Sequence, residues 1–447
     1  MNEWKKVKIG DVCEIIKGAT GIASAEPGEY PLVVTAVERK TCSSFQFDCE
    51  AVCIPLVSSS GHGKKSLKNV HYQSGKFALG TILCAVIPND SNELDARFLR
   101  QYLQFYKDII LVPLMKGAAN VSLSMKDIAT VEIPLPPIEK QRELSELFVS
   151  LQEKEKILNE EYEKQFEYTK QLRQNILQDA IEGRLTEEWR KNNPVVKGNP
   201  DFDAEALFEK IQEEKCHTDS ELLRNSKKKE KSLPEITEDE KPFEIPEGWK
   251  WVRLGEIVYS VVYGTSSKCS YDSNQNSAIL RIPNISLGYV DVSDLKYTNL
   301  SEIEKNELSL KENDLLVIRS NGSPEIVGKM VYVPKKFENY CYAGYLIRLR
   351  FTIPSIGFYI GNISNAKSLR NQIEEPLRST VGINNINSDE IKYLIFSLPP
   401  LAEQAEIVSR VEKLLANVTE LENQITEREE MTKQLMQSIM KDAFREV

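Results

Sequence analysis

Leu135-Pro136-Pro137-Ile138-Glu139-Lys140-Gln141 and Leu398-Pro399-Pro400-Leu401-Ala402-Glu403-Gln404 carry one pattern, Leu-Pro-Pro-x-x-x-Gln, at an offset of 263 residues. The same offset relates Thr169-Lys170-Gln171-Leu172-Arg173-Gln174-Asn175-Ile176 to Thr432-Lys433-Gln434-Leu435-Met436-Gln437-Ser438-Ile439, and Asp179-Ala180 to Asp442-Ala443. Two stretches of about 45 residues have kept one length with no insertion. A loop is under no such rule; a rigid spacer is.

Both stretches have helical periodicity. Leu144, Phe148, Leu151, Leu158, Tyr162, Thr169, Leu172 and Ile176 follow a 3–4 spacing. Ile407, Val411, Leu414, Val418, Leu421, Ile425, Thr432, Leu435 and Ile439 repeat it in register. These stripes read as a coiled-coil seam. The proline pair stops the preceding strand and lets a helix start behind it. At about 1.5 Å per residue each helix is roughly 65 Å long.

Outside the helices the repeat weakens. Trp4-Lys5-Lys6-Val7-Lys8-Ile9-Gly10-Asp11-Val12 matches Trp249-Lys250-Trp251-Val252-Arg253-Leu254-Gly255-Glu256-Ile257 at an offset of 245. The chain thus reads as module one (1–137), a first helix (138–185), a polar linker (186–248), module two (249–400) and a second helix (401–447). Shared frames around divergent interiors predict one job done on two targets. The linker carries Lys227-Lys228-Lys229, Glu238-Asp239-Glu240 and five prolines. This composition predicts a polar linker with a short helix around Ala204–Lys215 rather than a third domain, its Lys run a solvated connector in preference to a DNA contact.

A net charge of −10 argues against a nucleic-acid partner until it is divided. Module one has 15 Lys/Arg against 14 Asp/Glu, and module two 17 against 15. The first helix with the linker has 19 against 28, and the second helix 6 against 10. The acid lies outside the modules, each free to gather its bases on one face.

Several chemistries lack their residues. The eight cysteines form no C-x-x-C pair, which leaves metal unassembled and the thiols buried or idle. Gly322-Ser323-Pro324-Glu325-Ile326-Val327-Gly328-Lys329-Met330 and Gly61-His62-Gly63-Lys64-Lys65 both fail as phosphate loops. No G-x-G-x-x-G follows a strand, and no Asn/Asp-Pro-Pro-Tyr/Phe quartet is present to grip a flipped adenine. Three histidines supply little acid–base chemistry. No apolar run approaches a membrane span and the N-terminus has no signal-peptide core, so a cytoplasmic, non-catalytic protein is expected.

Five stretches carry a family resemblance. They are Pro246-Glu247-Gly248-Trp249-Lys250-Trp251-Val252-Arg253-Leu254-Gly255-Glu256-Ile257 and the two Leu-Pro-Pro-x-x-x-Gln starts. With them come Asp179-Ala180-Ile181-Glu182-Gly183-Arg184-Leu185-Thr186-Glu187-Glu188-Trp189-Arg190 and Arg319-Ser320-Asn321-Gly322-Ser323-Pro324-Glu325-Ile326-Val327-Gly328-Lys329. In order and spacing the chain resembles the specificity subunit of type I restriction–modification systems from end to end. It departs where Asp442-Ala443-Phe444-Arg445-Glu446-Val447 lacks the Gly-Arg-Leu continuation, so no third module is expected.

The resemblance implies a mixed α/β (α+β) fold: two target-recognition domains in tandem, separated by two antiparallel coiled-coil helices with pseudo-two-fold symmetry. Each domain would read one half of a bipartite, asymmetric site on double-stranded DNA, with the helices setting the spacer. Two modification (methyltransferase) subunits would dock on the helices, whose stripe is marked by Leu144, Phe148, Leu151, Leu158, Leu172, Ile176, Ile407, Val411, Leu414, Leu421, Leu435 and Ile439. S-adenosylmethionine would belong to those subunits, ATP and magnesium to restriction subunits, and no cofactor to this chain. A stand-alone DNA-binding regulator and a coiled-coil scaffold that never touches DNA are the alternatives.

Base reading needs side chains that reach groove edges, whereas phosphate contacts only position. In module one the small-residue loop 58–69 places Lys64, Lys65 and Lys68 for phosphates and Ser60, His62 and Asn69 nearer bases, ahead of a strand at Phe77–Ile87. Lys116 and Asn120 form a second candidate. In module two Arg319, Asn321 and Ser323 follow the apolar strand Leu315–Ile318; Arg suits guanine and Asn adenine, although Asn-Gly also suits a tight turn. Lys329 on the next strand is a phosphate candidate. Tyr342 and Tyr345 suit either sugar contact or core, and Gly382, Asn384, Asn385 and Asn387 either turn chemistry or readout.

Overall fold

The computed structural model describes residues 4–60, 63–118, 120–222, 233–377 and 384–444. The chain divides into two compact units, residues 1–164 with 426–447, and residues 165–425.

In the first unit the ends of module one pair with each other, Lys5–Lys8 antiparallel to Glu132–Leu135. Between them an antiparallel sheet runs in the order Cys13–Lys17, Leu83–Pro88, Ala51–Pro55, His71–Gln73. Ala51–Pro55 is buried along its whole length, which is why it reads as an unbroken apolar run rather than an alternating one. A second sheet centres on Tyr30–Val33 and Lys76–Leu79, which run parallel. The single strand expected at Phe77–Ile87 is two strands in different sheets, Lys76–Leu79 and Leu83–Pro88, separated by a turn at Gly80.

The second unit repeats this plan, although between their matching ends the two modules diverge in sequence. Lys250–Arg253 pairs with Ile395–Leu398. The main sheet runs Val258–Tyr263, Leu346–Phe351, Leu315–Ile318, Met330–Tyr332, again antiparallel, and Ser277–Leu280 is parallel to Cys341–Tyr342 in the smaller sheet. Even the crossing after the first sheet strand is kept: Thr20 bridges Gly80, and Thr265 bridges Ala343. The glycines before it are required by close approach. A Cβ on Gly18 would lie 2.2 Å from the Gly80 carbonyl oxygen, and one on Gly264 2.3 Å from that of Ala343.

The long helices span Ile138–Ile181 and Leu401–Ala443, ending a turn earlier than expected. The glutamine of each start motif turns back to pin the first turn. Gln141 Nε2 donates to the carbonyls of Pro136 and Glu93, and Gln404 Nε2 to that of Pro399, each at 2.8 Å. Within each unit the helices run antiparallel. In the first, Tyr162 Oη lies 2.8 Å from Thr432 Oγ1 and Phe148 stacks on Phe444; in the second, Arg173 Nη2 donates to Glu422 Oε2 and Arg410 Nη1 to the Leu185 carbonyl.

Much of the seam is core rather than docking surface. Leu144 and Phe148 pack with Phe444 into the core of module one, and Ile176, Ile407 and Val411 into that of module two. Leu151 and Leu414 lie against those cores, and Leu158 and Ile439 are half-buried. Of the residues named for docking, Leu172, Leu421 and Leu435 are exposed. The helices also expose Val149, Ile157, Tyr168 and Met431.

The linker contributes to the module-two core. Its helix extends over Ala204–Leu222, and Leu207 and Ile211, one turn apart, are buried in the module-two core. Glu240, from the acidic run, meets the buried Arg253 guanidinium at 2.9 Å. The Lys227-Lys228-Lys229 run lies outside the described residues.

Glu403, 2% exposed, gathers the motif residues of the second unit. Thr186 Oγ1 and Arg190 Nη1 each donate to its Oε1 at 2.6 Å, and Trp249 Nε1 donates to Oε2 at 2.7 Å. Gly183 lets the chain turn there, with φ +75° and Pro246 where a Cβ would stand. Removing one member of a buried pair leaves an uncompensated charge. Glu403→Ala is therefore expected to cost about 3–5 kcal/mol, measured as a lowered urea midpoint. In the first unit Phe444→Ala is expected to cost a similar ~3–5 kcal/mol through the cavity left among Phe98, Tyr102 and Phe148.

Candidate nucleic-acid interface

In each module the two stretches singled out for base reading lie side by side. In module two, Ser320–Asn321, leaving the buried strand Leu315–Ile318, pairs antiparallel with Asn384–Asn385. In module one, Val57 and Lys116 both bridge Ser122, and Ser58 N donates to the Val121 carbonyl. The two pairs occupy the same place in the two sheet plans, behind the third strand of the main sheet and ahead of the short helix Met125–Ala129 or Ser388–Tyr393.

Arg319 is held on every side except its tip. Its amide donates to the Tyr345 carbonyl, and its carbonyl accepts from the Ile386 amide. The guanidinium lies 4.8 Å from the centre of the Tyr263 ring, and Nε donates to Asn385 Oδ1 at 3.1 Å. Tyr263 is fixed in turn, its Oη accepting from the Ser388 amide at 2.9 Å. The Arg319 terminal nitrogens make no hydrogen bond among the described residues. That leaves the bidentate edge free, the geometry that matches guanine O6/N7 or a phosphate. It faces a cleft of about 850 Å³ also lined by Ser266, Ser267, Arg281, Lys296 and Tyr345. Tyr345 is 64% exposed. Arg281 donates to Asp294 at 2.7 Å and, with Tyr271, holds that carboxyl below its ordinary range.

Other candidates are engaged in building the fold. Tyr342 is not a contact residue: it is fully buried, and its hydroxyl donates to the Val262 carbonyl. Asn387 caps the helix Ser388–Tyr393, accepting from the Asp389 and Glu390 amides. Asn321 Oδ1 accepts from the Ser323 amide as a turn, and buried Asn384 donates to the Gly322 carbonyl. Lys329 precedes the strand Met330–Tyr332 rather than lying on it, and its Nζ is 3.5 Å from the Ser286 carbonyl. Gly382 and His62 lie outside the described residues.

In module one the serines build the loop and the lysines face out of it. Ser58 Oγ donates to the Lys64 carbonyl, Ser60 Oγ lies 2.7 Å from Ser66 Oγ, and the Lys68 amide donates to Ser59 Oγ. Lys64, Lys65 and Lys68 are exposed, Lys65 reaching the Pro113 carbonyl at 3.4 Å. Asn69 is half-buried, 3.5 Å from the Thr35 carbonyl. Asn120 is exposed, and Lys116 is paired with Asp127 at 3.1 Å.

Sequence reading missed Tyr263, Ser266, Ser267, Arg281 and Lys296. Gly264-Thr265-Ser266-Ser267-Lys268, a small polar run directly behind a strand, resembles the loop chosen in module one and was the available signal. Among the described residues no His, Cys, Asp and Glu group could hold a metal, the cysteines are free thiols, and no helix is long and apolar enough to cross a membrane.

Comparison with known proteins agrees with this architecture. The chain is 30% identical over 333 residues to the EcoKI specificity subunit of Escherichia coli K12, covering 74% of this chain and 61% of that relative. It is 32% identical over 199 residues to the StySPI specificity subunit of Salmonella potsdam, 44% of this chain and 43% of that one. The chain thus spans roughly half the length of these curated relatives. Among solved structures, the HsdS subunit from Thermoanaerobacter tengcongensis superposes over 100% of this chain and 97% of its own, with TM-score 0.54 at 17% identity. A chain from a structure of type I restriction–modification complex assembly gives 0.61 at 17%, covering 99% and 98%; both likenesses concern the fold. Residues 1–165 and 246–430 match the family described as type I restriction modification DNA specificity domain, and the chain, carrying that domain twice, belongs to this family.

Proposed function

We propose that this chain is the non-catalytic DNA-recognition subunit of a type I restriction–modification complex. Each module reads one half of a bipartite, asymmetric duplex target. The observation that carries the reading is Arg319, braced by Tyr263 and Asn385 with its bidentate edge free, in a loop pair that module one repeats at the same place. Arginine held this way discriminates guanine, each good bidentate pair being worth about 1–3 kcal/mol against the wrong base. The lysine loop of module one supplies phosphate contacts, which position without reading.

The long helices act as ruler and dock. Two methyltransferase subunits, which bind S-adenosylmethionine and modify adenine, cover the exposed apolar residues around Leu172, Leu421 and Leu435. Restriction subunits bring ATP and magnesium, and the assembly works in the cytoplasm. Exposed apolar side chains along the helices favour a subunit over a stand-alone regulator.

Arg319→Ala is expected to relax base preference in one half-site only, by about 1–3 kcal/mol, seen by binding to a panel of half-site variants. Equal loss on every sequence would remove Arg319 from base reading. Asn387→Ala is the control: it costs about 1 kcal/mol of stability as a lost helix cap and leaves base preference alone. Inserting four residues in both helices adds about 6 Å, and the preferred spacer should lengthen by about two base pairs at ~3.4 Å each. An unchanged target refutes the ruler.

A further inference from the structure

Module one has a second basic feature outside its paired loops. Beside the edge strand His71–Gln73 is a hollow of about 420 Å³ lined by Arg39, Asn69, His71, Arg97, Arg100 and Gln101. Its three guanidiniums are fixed by neutral groups. Arg39 donates to Gln73 Oε1 and to the Val37 and Tyr72 carbonyls. Arg100 donates to the Val70 carbonyl and Gln101 Oε1, and Arg97 donates to Tyr72 Oη and lies over that ring at 5.4 Å. Among the described residues none of the three is in an ion pair, and Arg100 Nη2 and both terminal nitrogens of Arg97 have no acceptor.

A hollow so built repels its own charges. Burial, and after it Arg39, pull the Arg100 guanidinium below its ordinary range. His71, 5% exposed, is held down to about 4 by burial first and then by Arg39 and Arg100. It accepts from Arg39 Nη1 through Nδ1 at 3.2 Å, and its Nε2 is buried without a hydrogen-bond partner among the described residues. After Tyr72, Glu50 and Asp95 favour the charge of Arg97 at the rim, without forming an ion pair with it. Arg39 and Arg100 are preset by neutral groups alone, the arrangement that binds a doubly hydrogen-bonded oxyanion.

We propose that the Arg39–Arg97–Arg100 hollow is an oxyanion site that takes a backbone phosphate of the bound duplex. It rests on the reading of this chain as a DNA binder. Continuity favours DNA over an acidic protein segment. Val70, which anchors Arg100, is four residues beyond Ser66, which closes the lysine loop, so the two are at most about 13 Å apart along extended chain. Lys64, Lys65 and Lys68, all exposed, lie within six residues of Val70 in the same stretch of chain. Arginine also suits a planar two-point grip on a phosphate that lysine, a point charge, does not give.

The test is the salt dependence of binding to a mixed-sequence duplex by the full chain, alone and assembled with its methyltransferase subunits. One lost phosphate contact lowers the slope of log K against log salt by about 0.9. The Arg39→Gln/Arg100→Gln double variant is expected to show that loss and to weaken all sequences alike, with Arg39→Lys/Arg100→Lys restoring the slope. Arg97→Gln, at the exposed rim, is expected to lose less in the same direction and guards against misfolding of the double variant. A double variant that keeps the wild-type slope overturns the site, as does a loss confined to one base sequence. Intact DNA binding with weakened methyltransferase assembly would make the hollow a carboxylate receptor instead. Absence of salt-dependent DNA binding by the unaltered chain, in both forms, would bring down the DNA reading itself.

Discussion

The carboxylate of Glu403 is the point on which the second unit turns. Burying a carboxylate costs several kcal/mol unless donors replace its water, and Thr186, Arg190 and Trp249 do so from three parts of the chain. One follows the first long helix, one lies in the linker's opening turn of helix, and one begins module two; Glu403 itself is in the first turn of the second helix. The residues that mark this family in sequence are thus residues that lock helix to module. In the first unit aromatic packing does the same work, with Phe444 among Phe98, Tyr102, Phe105, Tyr106 and Phe148. A helix fixed at its ends in packed cores transmits length; a tethered one does not.

This division of labour explains what was legible in the sequence. The helices were, because a constant 263-residue offset and a 3–4 stripe leave few other structures. The purpose of the stripe was not: periodicity shows that Leu144, Phe148, Ile407 and Val411 are buried, without showing whether their own module or another subunit buries them. The linker's helix was legible from its start at Ala204, but its packing was not, because polar composition dilutes the one-turn spacing of Leu207 and Ile211. Inside the modules the shared strand order was not legible by comparing one with the other, since a sheet needs buried faces rather than particular side chains.

At the candidate interface, the sequence marked stretches that the fold places side by side, and marked the parts of single atoms less well. Arg319 stood out as a lone charge ending an apolar strand. The asparagines beside it misled, because a short amide competes for neighbouring backbone groups and is as useful to a turn or cap as to a base. Asn387, Asn384 and Asn321 take the structural part, and Asn385 takes the positioning one. Tyr263 and the arginines of the module-one hollow come from segments far apart in the chain, so only folding brings them together.

Modules of balanced charge, a braced Arg319 and helices packed into the core of each unit fit the proposed reader of two short words. The most direct test is the modified-site sequence in a host that carries this chain with its methyltransferase partners, mapped across the whole genome. The account predicts one asymmetric target in two parts separated by an unspecified gap of constant length. A contiguous target, a variable gap, or no sequence preference would contradict it.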